Sequence, residues 1–183
     1  MFLLTPGCST LQQIAALRQV DFDLDRVSNG LVAGVDLDRL RGGGQLGARD
    51  LARLGTAAAR GEVPLSFTLH VGAENPSDNA TAAQLVTLDW TLFLDDTQTI
   101  SGVYNDTRSI PPGARVDLPI TMELDLVGFF GRNVEDIVTL VGNVAGAETR
   151  QQTIRLDARP TVNTAIGPIR YPGVISIEFP VGG

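Results

Sequence analysis

Few residues of this sequence have side chains that could perform catalysis. The chain contains one Cys, Cys8, and one His, His70. A single Cys excludes an intramolecular disulfide and a Cys-rich zinc site, and a single His leaves no second imidazole to share a metal. His70 falls on the outward set of its strand and no spacing suggests a Ser or Cys partner for it, so we expect this side chain to be exposed. A hydrolase would have to rest on carboxylate pairs alone. The sequence therefore predicts no catalytic residue and no enzyme activity.

Five aspartates near the start of the chain could supply oxygen ligands to a metal. Asp21, Asp23 and Asp25 recur at every second position, which puts them about 7 Å apart on one strand face. Together with Asp36 and Asp38 they could hold Ca²⁺. However, no Asp-x-Asp-Gly loop accompanies them, and charges on a strand also discourage pairing with another edge. We interpret them as a solvated strand face and predict no metal site.

Cys8 is the predicted site of a covalent modification. It follows Thr5-Pro6-Gly7, where an apolar stub meets a polar segment. Lipoprotein signal peptides end in a short box of apolar and small residues before a Cys that becomes lipidated. Gly7 fits that box, whereas Thr5 stands where Leu is usual. An ordinary free thiol is the alternative, and we predict lipidation of Cys8.

A lipid on Cys8 would determine where the protein resides. Ser9 follows the Cys, and in the best-known Gram-negative lipoproteins Asp at that place retains the protein in the inner membrane. Ser9 therefore indicates the outer membrane, facing the periplasm, with a soluble protein as the alternative. We predict residues 1–19 to be a signal-peptide remnant and a tether without core contacts, and 20–183 to be the folded domain.

The charge balance limits the partners. The net charge is −7, with 14 basic against 21 acidic residues. Nucleic acids require a basic stripe, and anionic headgroups attract clustered positive charges, so neither is expected as an electrostatic partner. The longest apolar run falls short of the roughly 18 residues that a spanning helix needs. The remaining candidates are the membrane through the lipid anchor and other envelope proteins.

Other motifs have structural interpretations. The three glycines at 42–44 predict a hinge, Trp90 is expected at the centre of the core, and Asn75-Pro76 is expected to end a strand in a turn. Asn79-Ala-Thr81 and Asn105-Asp-Thr107 are glycosylation sequons, which are idle in most bacterial settings.

Apolar and polar residues alternate along much of the chain, which is the period of a half-buried β-strand. The alternation predicts strands near 20–25, 31–40, 63–71, 86–94, 97–104, 116–124, 154–159 and 175–179. Ser28-Asn29-Gly30 would close the first strand, and Asp95-Asp96 would join the fourth and fifth in a hairpin. Pro119 lacks an N–H donor and indicates an edge strand or a bulge.

Helical spacing of apolar residues predicts an Ala-rich helix over 48–59, ended by Gly61, and a second helix over 127–141. Many short strands with turns between them predict a mainly β protein, an antiparallel two-layer β-sandwich with one or two short helices. The residues expected to be buried are Phe67, Leu69, Val71, Leu88, Trp90, Leu92, Leu118, Ile120 and Ile177.

A series of motifs resembles a known family. In chain order they are Val71-Gly-Ala-Glu-Asn75-Pro76, Leu88-Asp-Trp-Thr-Leu-Phe-Leu94, Ser101-Gly102, Ile110-Pro-Pro-Gly113, Val116-Asp-Leu-Pro119-Ile and the closing 166–174. Their order and spacing resemble the late embryogenesis abundant (LEA) type 2 family, whose conserved unit is the water-stress and hypersensitive-response (WHy) domain. The match runs from about Phe22 to Phe179, and the segment between Arg41 and Gly61 is absent from the plant pattern.

The resemblance implies an immunoglobulin-like or fibronectin-like sandwich, a link to dehydration or stress protection, and neither enzyme activity nor a cofactor. Bacterial members of the family are often lipoproteins. Two functions follow as expectations. One is a protective or binding module of the cell envelope. The other is a periplasmic carrier or chaperone for an apolar ligand or unfolded client, held between the sheets or under the helix 127–141. The apolar residues are about sufficient to fill a sandwich, which favours the first.

Overall fold

A computed structural model of the chain describes residues 19–41, 45, 47–131, 137, 139–142, 151–164 and 166–181, together with positions 15 and 17. Within this part of the chain ten strands and three labelled helices follow one another. The strands are β1 Asp21–Val32, β2 Val35–Asp36, β3 Pro64–Glu74, β4 Ala83–Leu94, β5 Thr97–Tyr104, β6 Arg108–Ile110, β7 Arg115–Asp125, β8 Gln152–Thr164, β9 Gly167–Arg170 and β10 Ile175–Val181. The helices are α1 Leu37–Arg41, α2 Ala48–Arg60 and α3 Leu126–Phe130.

The strands form two antiparallel sheets. The first has the order β2-β1-β3-β7, and the second has the order β10-β8-β4-β5, with β6 also paired to β4 and β9 to β8. The predicted mainly β fold, an antiparallel sandwich with a few short helices, is therefore confirmed. Among the described residues no helix is of a length and apolar character that would cross a membrane.

The core lies between the two sheets and is built from the inward-facing set of each strand. All nine residues expected to be buried are buried, and Leu69 and Leu118 are fully enclosed. Trp90, in the centre of β4, is 7% exposed, as its predicted role as core anchor requires. Its cross-strand partner is Gly102 on β5. A Cβ at Gly102 would lie 2.4 Å from Cζ2 of Trp90, so the glycine leaves the space that the indole occupies.

The first strand is longer than predicted. Ser28-Asn29-Gly30 does not close it, because Asn29 adopts a positive φ of 55° and the register shifts between Ser28 and Leu31. This is the geometry of a β-bulge, which absorbs an extra residue without ending the strand. The chain turns at Ala33-Gly34 instead.

The predicted extended segment 31–40 is wrong in its second half. Only Val35–Asp36 is extended, and α1 begins at Leu37. The side chain of Asp36 accepts hydrogen bonds from the backbone N–H groups of Asp38 (2.9 Å) and Arg39 (3.2 Å). Such an N-cap satisfies the first free donors of a helix, so a local cap overrides the alternating pattern.

The Ala-rich helix is confirmed as α2, and Gly61 ends it at φ 72° with its N–H bonded to the last turn.

The predicted continuous helix 127–141 is wrong. α3 begins after Asp125, whose side chain accepts from the Gly128 N–H at 3.1 Å, and it ends at Gly131, where φ is 61°. Positions 137 and 139–142 are helical again, while 132–136, with the predicted facing residue Val134, lie outside the described residues.

The predicted hinge at glycines 42–44 lies outside the described residues, and the turn predictions on described residues agree with the structure. Asp95 and Asp96 both have positive φ, 45° and 64°, and join β4 and β5 in a two-residue hairpin. This is the turn whose twist matches that of the paired strands. Pro119 lies on β7, an edge strand of the first sheet, as predicted. The short strands β6 and β9 were not expected, because three or four residues carry too little alternation to be recognised.

Candidate functional site

The outer face of the first sheet carries the polar cluster that contains His70. His70 lies on β3, which is flanked by β1 and β7, and its register partners on them are Arg26 and Pro119. Ser28 lies two residues after Arg26 on β1 and pairs with Thr68. Asp117 lies two residues before Pro119 on β7 and pairs with Gly72. Side chains of diagonal neighbours on one sheet face are within reach of each other. We call Arg26, Ser28, His70 and Asp117 the His70 cluster.

His70 is held by three neighbours. Its Nε2 lies 2.8 Å from Oγ of Ser28, and its Nδ1 lies 2.8 Å from Oδ2 of Asp117. A guanidinium nitrogen of Arg26 lies 3.0 Å from the same Nδ1 and 3.5 Å from Oδ2 of Asp117. The prediction that His70 is exposed is wrong, since only 9% of the residue is accessible. Alternation gave the correct face, but the flanking side chains cover the ring.

The donor and acceptor roles of the two ring nitrogens depend on the tautomer of His70. With the proton on Nδ1, the ring donates to Asp117 and Nε2 accepts from the Ser28 hydroxyl. With the proton on Nε2, the ring donates to Ser28 and Nδ1 accepts from Arg26. The side-chain amide of Asn29 donates to Oγ of Ser28 at 3.3 Å, and Arg26 places a positive charge beside the carboxylate of Asp117.

This order of groups, Ser to His to Asp, is that of the serine hydrolase triad. The alternation pattern does not reveal it, because Ser28, His70 and Asp117 come from three separate strands. A hydrolase also needs a concave site and preorganised donors for an oxyanion. His70 lies on a sheet face, where backbone N–H groups pair between strands, and the Asn29 N–H donates to Asp38 Oδ2 at 2.8 Å. The cluster thus has the three residue types of the triad on the outer face of a sheet.

Four of the five aspartates considered as metal ligands contact arginines or backbone N–H groups, namely Asp23, Asp25, Asp36 and Asp38. Arg115 binds Asp23 at 2.7 Å and approaches Asp25 at 3.8 Å, and the hydrogen bond that Arg115 donates to Asp23 raises the pKa of Arg115. Asp25 also pairs with Arg26 at 2.7 Å. In the part of the chain that the structure describes, no three His, Cys, Asp or Glu side chains converge as a metal site.

Asn75 is the most enclosed polar residue of the family-like motifs. It is 0% exposed, and its Nδ2 donates to the backbone oxygens of Ile110 (2.8 Å) and Thr81 (3.1 Å). Its Oδ1 accepts from the side chain of Asn79 at 2.7 Å. The backbone of Asn75 bonds the Pro-Pro-Gly turn, through Gly113 (2.7 Å) and Ala114 (2.9 Å). Two distant motifs are thus joined through one buried asparagine.

The predicted lipidation site, Cys8, lies outside the described residues. The predicted tether 9–19 is described at positions 15, 17 and 19. Leu17 is 1% exposed and belongs to the hydrophobic core, beside Val20 at 6%. The expectation that this segment makes no core contacts is therefore wrong at Leu17, whose apolar side chain finds cover against the sandwich.

An open depression of about 460 Å³ lies beside α2. Small apolar residues line part of it, namely Ala33, Ala52, Ala57 and Pro64. Two arginines, Arg53 and Arg60, and the carboxylate of Glu62 line the rest, together with Thr56. The depression is formed by α2 and the segments next to it, and not by the inner faces of the sheets.

No family model and no curated protein matches this sequence. Several solved structures are similar to it. A protein from Archaeoglobus fulgidus is 13% identical with a TM-score of 0.41, and the alignment covers 88% of this chain and 98% of that chain. AT1g01470 from Arabidopsis thaliana is 12% identical with a TM-score of 0.43, covering 89% and 78%. At2g46140.1, described as a proposed late embryogenesis abundant (LEA) protein, is 14% identical with a TM-score of 0.43, covering 93% and 75%. The last of these carries the name of the family that the sequence motifs resemble.

Proposed function

We propose that this chain is a non-enzymatic binding or protective module of the LEA type 2 kind, held at the bacterial cell envelope by a lipid on Cys8. The non-enzymatic part follows from the family resemblance and from the place of the single His on the outer face of a sheet. Ser28 on β1 and Asp117 on β7 contact the two ring nitrogens of His70 on β3, so these contacts cross both strand pairs. We interpret the His70 cluster as a cross-strand clamp that ties β1, β3 and β7 together.

The family part of the proposal is supported by what the motif residues do in the fold. Asn75 joins the strand end to the Pro-Pro-Gly turn, and Gly102 makes room for Trp90. Each of these residues fills a position that its neighbours define closely, which is what a structural motif requires. The role in desiccation or other stress follows from the family resemblance alone.

The outer face of the first sheet supports a binding role. Its charges are fixed in pairs, Asp23 with Arg115 and Asp25 with Arg26, so they are preorganised to meet a polar partner. A carrier for an apolar ligand is the second candidate. Its predicted site between the sheets is occupied by core side chains such as Leu69 and Leu92, which favours the first function.

The lipid anchor is tested with the full-length gene, including its natural start, expressed in a bacterial host. We expect wild type to partition into detergent and its mature N-terminus to be an acylated Cys8, since two or more acyl chains give stable membrane binding. Cys8→Ser should move to the aqueous phase. A wild-type protein that stays in the aqueous phase with residues 1–7 intact would contradict the anchor.

The absence of enzyme activity is tested with p-nitrophenyl acetate, the simplest substrate for a Ser–His–Asp relay. We expect wild type, Ser28→Ala and His70→Gln to hydrolyse it at the same slow rate. Ser101→Ala is the matched control, because Ser101 is an exposed strand serine bonded to Thr91 and not to a His. A wild-type rate about 100-fold above that of Ser28→Ala, with Ser101→Ala unchanged, would show that Ser28 is a nucleophile.

A further inference from the structure

Three arginines of α2 have no carboxylate partner among the described residues, which is also true of Arg159 on β8. The basic residues of this protein are all arginines. Those with a carboxylate partner among the described residues are Arg26, Arg39, Arg108, Arg115, Arg155 and Arg170. Arg49, Arg53 and Arg60 are exposed and form no ion pair with any carboxylate in the described part of the chain. In a chain of net charge −7, three such residues on one helix are unexpected.

Their spacing puts them on one side of the helix. At about 100° per residue, Arg49, Arg53 and Arg60 fall within an arc of about 40°. Helix electrostatics account for Arg60 in the last turn, but a positive charge in the first turn, where Arg49 lies, is unfavourable. Asp50 in that turn is bonded to other groups and not to Arg49. A hydrogen bond from the Gly47 N–H lowers the pKa of Asp50, and Arg39 binds its carboxylate at 2.7 Å.

The depression beside α2 combines this charge with apolar surface. Arg53 and Arg60 line it with Glu62, so its charged side chains sum to plus one. Ala33, Ala52, Ala57 and Pro64 give it an apolar lining. Arg53 donates one hydrogen bond to the carbonyl of Gly34 at 3.3 Å, which positions its guanidinium while its other N–H groups remain available.

We propose that this depression binds a small monocarboxylate with an apolar body, such as a medium-chain fatty acid. The planar guanidinium groups of Arg53 and Arg60 match a carboxylate, the single negative charge neutralises the excess of one, and the alkyl chain covers the alanines and Pro64. Arg49 extends the positive potential along α2 and draws the anion in. This binding activity goes beyond the proposed function and does not depend on Cys8.

Calorimetric titration of the full chain with sodium decanoate, below its micelle concentration, tests the proposal. We expect saturable binding that weakens about tenfold in Arg53→Gln and in Arg60→Gln, because each removes a charge-assisted hydrogen bond. Gln keeps helix propensity, and circular dichroism checks that α2 persists. Arg159→Gln is the matched control, since Arg159 is an exposed arginine on β8 without a carboxylate partner among the described residues.

Two further ligands separate the components of the site. 1-Decanol has the apolar body without the charge, and inorganic phosphate has charge without the body, so both should bind more weakly than decanoate. Amide chemical shifts should change around Ala52 and Ala57. The proposal is overturned if decanoate does not bind, if decanol or phosphate binds as tightly, or if Arg159→Gln weakens binding as much as Arg53→Gln.

Discussion

Replacing Trp90 with alanine is expected to lower the free energy of unfolding by about 3–5 kcal/mol. The indole is 7% exposed and lies at the middle of β4, between β5 and β8. Its removal loses the transfer free energy of a large aromatic side chain and leaves a cavity. Gly102 has no side chain that could move into that cavity. We therefore expect little relaxation and a cost toward the upper end of the range.

Chemical denaturation of wild type and Trp90→Ala, followed by far-UV circular dichroism, measures this cost. Val103→Ala is the matched control, because Val103 lies on the partner strand β5 and is 52% exposed. Truncation of an exposed side chain usually changes stability by at most about 0.5 kcal/mol. If Trp90→Ala unfolds at the same denaturant concentration as Val103→Ala, Trp90 does not anchor the core.

Asn75→Ala is expected to destabilise the fold by at least about 3 kcal/mol. The alanine would remove one hydrogen-bond partner from the backbone oxygens of Thr81 and Ile110 and one from the side-chain amide of Asn79. Each hydrogen bond lost at a buried group costs about 1–3 kcal/mol. The backbone hydrogen bonds of residue 75 to the Pro-Pro-Gly turn would remain. The measured loss of stability would therefore come from the side chain alone.

The same denaturation experiment measures Asn75→Ala, with Asn105→Ala as control. Asn105 is an exposed asparagine of the second sequon, whereas Asn79 of the first is 6% exposed. We expect Asn105→Ala to be close to wild type. Equal unfolding midpoints for the two variants would mean that water replaces the amide of Asn75. The hydrogen bonds of the Asn75 side chain would then contribute nothing to the free energy of unfolding.

The architecture was predictable because alternation reports which residues face the core. Phe67, Leu88 and Trp90 could be assigned to the interior from their spacing alone, and the structure buries them. Alternation carries no information on what covers the opposite face. His70 was therefore placed on the correct face and given the wrong exposure, since the residues that enclose it come from β1 and β7.

Local geometry limited the remaining predictions. Asn29 sits in a sequence typical of a turn, yet it forms a bulge because β3 continues to pair with β1 on both sides of it. Gly131 ends α3 in a stretch whose apolar spacing favours one long helix, because its backbone adopts a positive φ. For the candidate site, the helical spacing of Arg49, Arg53 and Arg60 was visible in the sequence, but only the structure shows that they have no carboxylate partner among the described residues.

The edges of the two sheets have a consequence for the protein when water is lost. Drying concentrates a protein, and unpaired strand edges then add to one another and grow into fibrils. One edge of the first sheet is the two-residue β2, and the other is β7, where Pro119 removes a donor. In the second sheet the edge strand β10 carries Pro180, while β5 carries no proline. Among the described strands, β2, β7 and β10 are thus poor templates for self-association, and we expect aggregation of a dehydrated sample to begin at β5.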